Sequence, residues 1–239
     1  MSEKHWDTEA RKELAGAVYG GDGGRVVELL RDRPLPAELQ AAGDGLLTAL
    51  EQGLQEAEGH AAAVEEALRE RGYDGDRELA EQLEAAAGRG PVPALRPIPV
   101  HLVMLAEVLE GDPMQGGGYL DRVTGEVLPE IALEDGGADE IEGFDAEDTN
   151  RWMYVDCEGS RDGYRDMQLF IEQLEDPEII DRLEIAISGR GAFRRFKDVL
   201  ERRPDLVDRY RVLRDERERG RARAWLAVQG YCPSSRAKR

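Results

Sequence analysis

"GGGYLDRVTGEVLPEI", residues 116–131, decides the fold class. Two short runs carrying Tyr, Val, Thr and Ile flank a turn centred near Thr124 and Gly125, which predicts a β-hairpin. Downstream, "RWMYVDCEG" (151–159) is a second run rich in β-forming residues and predicts a third strand. Nearly everything else has the three-and-four spacing of amphipathic helices. The chain is therefore expected to be α+β, with a small antiparallel sheet, hairpin plus one strand, covered by C-terminal helices.

Upstream of the hairpin, "PVHLVMLAEVLEG" predicts a short helix, and "GRGPVPALRPIPV" (88–100) holds four of the chain's eleven prolines. Proline and the residue before it resist helix. This stretch is expected to be an extended linker, with residues 91–98 as the boundary between an N-terminal module (1–90) and a second domain (99–231). Five helical segments fill the module, each closed by Gly or Pro. Within it, "ELAGAVYGGDGGRVVELLRDR" (13–33) is echoed by "LLTALEQGLQEAEGHAAAVEEALRERG" (46–72), an apolar helix, a turn and a second helix each time. Each copy is similar to a degenerate ankyrin repeat, although the TPLH turn signature is missing and the spacing is irregular.

Downstream, "ALEDGGADEIEGFDAEDTN" (132–150) is acidic and poor in large apolar residues, so an acidic loop is expected. From Ser160 the chain is predicted to be helical. Ser160 is a candidate N-cap, and Asp176 followed by Pro177 is a second. Gly189 closes that second helix. A long pattern from Pro204 onward carries Leu206, Tyr210 and Leu213 on one face, and the tail at 232–239 is expected to fray.

Composition limits the function classes. The 239 residues carry a formal charge of −19, which disfavours nonspecific binding to nucleic acid and to anionic membrane. The charge is uneven: residues 107–162 hold 17 acidic and 3 basic groups, while 189–239 hold 16 basic and 7 acidic ones. Either these regions neutralise each other in the fold or one of them forms a binding face. No apolar run is long enough to span a membrane, and the start lacks the hydrophobic core of a signal peptide. Cys157 and Cys232 stand far apart outside any CxxC pattern, which fits a reducing, cytoplasmic setting. With three histidines in the chain, a zinc site has little to be built from, and no cofactor is expected.

Two constellations could carry chemistry. In "SGRGAFRRFKD" (188–198), Arg190, Arg194, Arg195 and Lys197 surround a helix start, whose free N–H groups attract anions. The competing reading is structural: Phe193, Phe196 and Leu200 form a buried stripe and the basic groups its solvated edge. The stretch lacks the GKS or GKT ending of a nucleotide-binding P-loop. The other constellation is Asp156, Glu158, Asp162 and Asp166, oxygen donors of the kind Mg²⁺ prefers. Here the structural alternative is a helix-dipole contact for Asp162 and an arginine partner for Asp166, either Arg165 or one across the fold. Neither Ser160 nor Cys157 has the surroundings of a nucleophile.

"GYLDRVTGEV", "RWMYVDCEGSRDGYRDMQLFI", "AISGRGAFRRFKDVL" and "RARAWLAVQGY" occur in this order, and together they resemble the bacterial uncharacterised protein family 0158 over about residues 99–231. The resemblance implies no activity, cofactor or catalytic residue. The function expected on these grounds is a non-catalytic cytoplasmic binding or regulatory protein whose partner is another protein. The alternatives are a binder of nucleic acid or a phosphorylated ligand through the basic helix start at 190–197, and a metal-dependent hydrolase built on the 156–166 carboxylates.

Overall fold

The computed structural model describes residues 5–234, with the backbone alone described at 135, 136, 139 and 140. The chain has an α+β fold whose first five elements are helices: α1 (Thr8–Tyr19), α2 (Gly23–Arg31), α3 (Leu39–Glu51), α4 (Ala57–Arg71) and α5 (Asp76–Ala86). Asp7 and Asp22 cap the first two, accepting from the N–H groups of Ala10 and Arg25. Each helix packs on the next, and α3 also touches α1 and α5, so it runs through the centre of the module. Its sequence suits that place. Leu39, Ala42, Leu46 and Ala49 are buried, and Gly43 and Gly45 let Leu79 and Val26 approach the backbone.

The segment after α5 is only partly a linker. Arg89 pairs with the buried Glu65 of α4, and Arg96–Ile98 is a strand, β1. Helix α6 (Leu102–Leu109) follows, then the hairpin of β2 (Gly118–Asp121) and β3 (Val127–Pro129), and later β4 (Trp152–Val155). These three form an antiparallel sheet in the order β3-β2-β4, with Tyr119 opposite both Leu128 and Tyr154. The hairpin turn is built around buried Asp121. Its carboxylate accepts from the N–H groups of Val123 and Thr124 and pairs with Arg151 at 2.8 Å. Gly125 closes the turn at φ +77°, where a Cβ would lie 1.5 Å from the Pro99 carbonyl oxygen. Only glycine fits on both counts.

The acidic stretch 132–150 is more ordered in backbone than a loop: a 3₁₀ segment (Glu130–Gly136) leads into one α-helical turn, α7 (Gly137–Glu140). Phe144 anchors the remainder of the stretch, edge-on to Tyr119 and Trp152 at 5.2 and 4.9 Å. These aromatic contacts outweigh the self-repulsion that composition alone suggests.

Four helices follow: α8 (Arg161–Glu172), α9 (Pro177–Ile187), α10 (Ala192–Leu200) and α11 (Pro204–Val228). Ser160 precedes α8 but its hydroxyl makes no capping bond, whereas Asp176 caps α9 through the Glu178 N–H. Phe170, Phe196 and Tyr210 meet edge to face and form the centre of this helical core. The expected tail begins later than the sequence suggests, because Tyr231–Pro233 is a strand, β5, paired parallel with β1. Residues 235–239 of that tail lie outside the described residues.

Helix α11, 25 residues long, links the two hydrophobic cores outside the module and also reaches the module itself. Leu206 and Tyr210 enter the α8–α10 core, Ala222 and Leu226 enter the core of the sheet and α6, and the middle turns meet the N-terminal module.

Candidate functional site

The middle of α11 is a polar junction between the module and the rest of the chain. Glu216, buried, accepts from the backbone N–H groups of Gln40 at 2.7 Å and Ala41 at 3.3 Å. It thereby caps α3, a helix whose own N-cap residue, Glu38, makes no capping bond. Arg71 bridges Glu216 (3.0 Å) and Asp76 (2.7 Å), and Asp76 also accepts from the Gln40 amide. One turn or two further on, Arg223 is 1 % exposed and donates to Gln40, Gln82 and Asp44. Charged groups survive burial only when paired and hydrogen-bonded, and here they are. Burial pushes the Glu216 carboxyl up to about 7, against the pull of Arg71.

Sequence reasoning missed this junction. An arginine-rich helix reads as a solvated face, and its partners lie some 140 to 180 residues away. The one available signal is Gly220, a helix-weakening residue in mid-helix, which implies close packing.

The basic helix start is only partly free. Arg195 donates to the carbonyls of Ala186 (3.0 Å), Ser188, Gly189 and Arg190, closing the C-terminal end of α9. Such carbonyls lack partners inside their own helix, and a cation there also suits the dipole. Arg190, Arg194 and Lys197 are exposed, and among the described residues their side chains make no ion pair. Phe196 and Leu200 are buried as the stripe requires, while Phe193 stays 38 % exposed beside Gly163.

The carboxylates are dispersed. Asp156 and Glu158 are not buried, and Asp162 pairs with Arg165 at 2.8 Å. Asp166 is fully buried and held by Arg217 (2.6 Å) and Arg221 (2.8 Å) across the fold, and Arg221 also grips Glu110 at 2.6 Å. Among the described residues no three His, Cys, Asp or Glu side chains gather as metal ligands. The acidic middle thus meets the basic end through Glu110, with Asp166 just beyond it held by the same helix, but α11 spends its remaining buried charges on the module.

An open groove of about 880 Å³ lies between α9 and α10. Ile179, Ile185, Ala186 and Val199 give it apolar walls, and Arg182, Asp198 and Arg202 rim it. Ile185 is 74 % exposed.

These features define an α+β domain with a helical module fixed to its last long helix. Residues 96–238 match the sequence model of an uncharacterised protein family, UPF0158, and the chain belongs to that family. No curated protein and no solved structure matches the chain. No helix among the described residues is long and apolar enough to cross a membrane.

Proposed function

We propose that this is a non-catalytic, cytoplasmic binding or regulatory protein whose partner is another protein. The observation that carries the reading is Ile185, a large apolar side chain left in the open beside the α9–α10 groove. Exposed apolar surface rimmed by both signs of charge fits an amphipathic helix with an apolar stripe and flanking charges. The stacked helical hairpins of the module support an ankyrin-like role beside it, that of a scaffold presenting a second surface. Buried Asp166 and the carbonyl-bound Arg195 favour a structural account of these two residues. The test is capture of tagged wild type and Ile185→Asp from lysate of the source cell. A stoichiometric protein held by wild type and lost with the variant supports the reading; the same companions on both argue against it.

A second reading rests on Arg190, Arg194 and Lys197, exposed cations without ion-pair partners among the described residues. They suit a nucleic acid or a phosphorylated ligand. Affinity for RNA that falls steeply with salt, and falls further with Arg190→Ala and Arg194→Ala together, would favour it over the groove.

A further inference from the structure

A cleft of about 310 Å³ opens between the module and the family region, close to the polar junction. Its floor is apolar, with Pro36 and Leu39 on one side and Val212 and Leu213 on the other. Two rings stand at its sides, Tyr73 from the module and Phe170 from α8.

Three arginines line it, and they differ in what they have left to give. Arg71 is fully engaged by Asp76 and Glu216, and Glu216 is itself turned to the N–H groups of α3. Arg209 has no carboxylate partner among the described residues. Its guanidinium lies 6.0 Å from the Phe170 ring centre and donates one long bond, 3.5 Å, to the Gln173 carbonyl. Arg11 lies beside Glu38, 3.2 Å from Nε to Oε1, yet the buried Nε makes no hydrogen bond. Of the three, Arg209 alone lacks a carboxylate partner among the described residues, and an apolar pocket with a few polar groups that fix orientation is the usual form of a small-molecule site.

We propose that this cleft binds a small organic monocarboxylate with an apolar body, its carboxylate held by Arg209 and its body resting on Leu39, Val212 and Leu213. The volume is at the lower end of small-molecule pockets, too small for a nucleotide. The apolar floor and the pairing of Arg71 disfavour a phosphate dianion, which needs more uncompensated positive charge. Because the walls come from both halves of the chain, an occupant ties the module to the family region and stabilises their docking. The inference is independent of the α9–α10 groove.

The test titrates hydrocinnamate into the full chain by calorimetry, with the Arg209 Nε–Hε resonance followed by NMR. The expected result is saturable one-to-one binding, a shift of that resonance, and affinity at least about tenfold weaker for the neutral hydrocinnamamide and for Arg209→Gln. Arg209 is exposed, so the variant is expected to keep the wild-type circular dichroism and Tm. No saturable binding of hydrocinnamate or of the aliphatic isocaproate up to about 10 mM overturns the proposal. So does equal affinity for acid and amide, or for wild type and variant.

Discussion

Gly75 and Gly220 meet backbone to backbone where the N-terminal module touches α11. A Cβ on Gly75 would fall 2.1 Å from the Gly220 carbonyl oxygen, and a Cβ on Gly220 would fall 2.1 Å from the carbonyl oxygen of Asp74. No side chain of any size separates the two halves at this point, and the surrounding charges reach their partners because the backbones are so near.

Gly220→Ala tests this directly. In an isolated helix the change gains about 1 kcal/mol of propensity. Here it is expected to destabilise by about 1–3 kcal/mol through overpacking against Asp74. Thermal unfolding checks the sign, and a stabilised variant would show that the backbones are free to part.

Arg223→Ala leaves Asp44 with a longer-range neighbour only, Arg219 at 3.8 Å, and removes the donor to Gln40 and Gln82. Breaking a buried charge pair from one side costs about 3–5 kcal/mol. Urea unfolding is expected to show that loss, with protease sensitivity rising first in the module.

Stability should fall as the pH is raised from about 5 to 8. Burial pushes the carboxyls of Glu216 and Glu218 up to about 7, above the range they hold in an unfolded chain. The folded state then binds protons more tightly, so this contribution is complete below about 4.5 and is lost as pH rises through about 7. Glu218→Gln is expected to flatten the slope of Tm against pH; an unchanged slope would mean that Arg214 keeps the carboxylate ionised throughout.

Arg195→Ala is expected to loosen the end of α9 and cost about 1–2 kcal/mol, the scale of lost hydrogen bonds to helix-end carbonyls. If Arg190, Arg194 and Lys197 form an anion site, Arg195→Ala should leave anion affinity nearly intact. Arg194→Ala should do the reverse. Paired Tm and binding measurements separate the two.

The hairpin was legible because its turn chemistry is local: Asp121, Thr124 and Gly125 act within five residues. Helix positions were legible for the same reason, through apolar spacing and caps such as Asp176. Strands β1 and β5 were not. Each has three residues, one of them proline, and they pair only because α11 carries Tyr231 back to Arg96. The acidic segment's order depends on Phe144 finding Tyr119 and Trp152, a contact that composition cannot express. The metal and anion candidates were visible as residue types. Whether such residues are free depends on partners far along the chain, as Asp166 and Arg195 illustrate.

The parallel pairing of Arg96–Ile98 with Tyr231–Pro233 also has a mechanical meaning. Tension applied at the two ends of the family region pulls these strands past each other lengthwise, and the bonds from Arg96 to Gly230 and from Ser234 to Ile98 bear the load together. Strands so arranged must shear as a unit, whereas an antiparallel hairpin pulled at its open end unzips one bond after another.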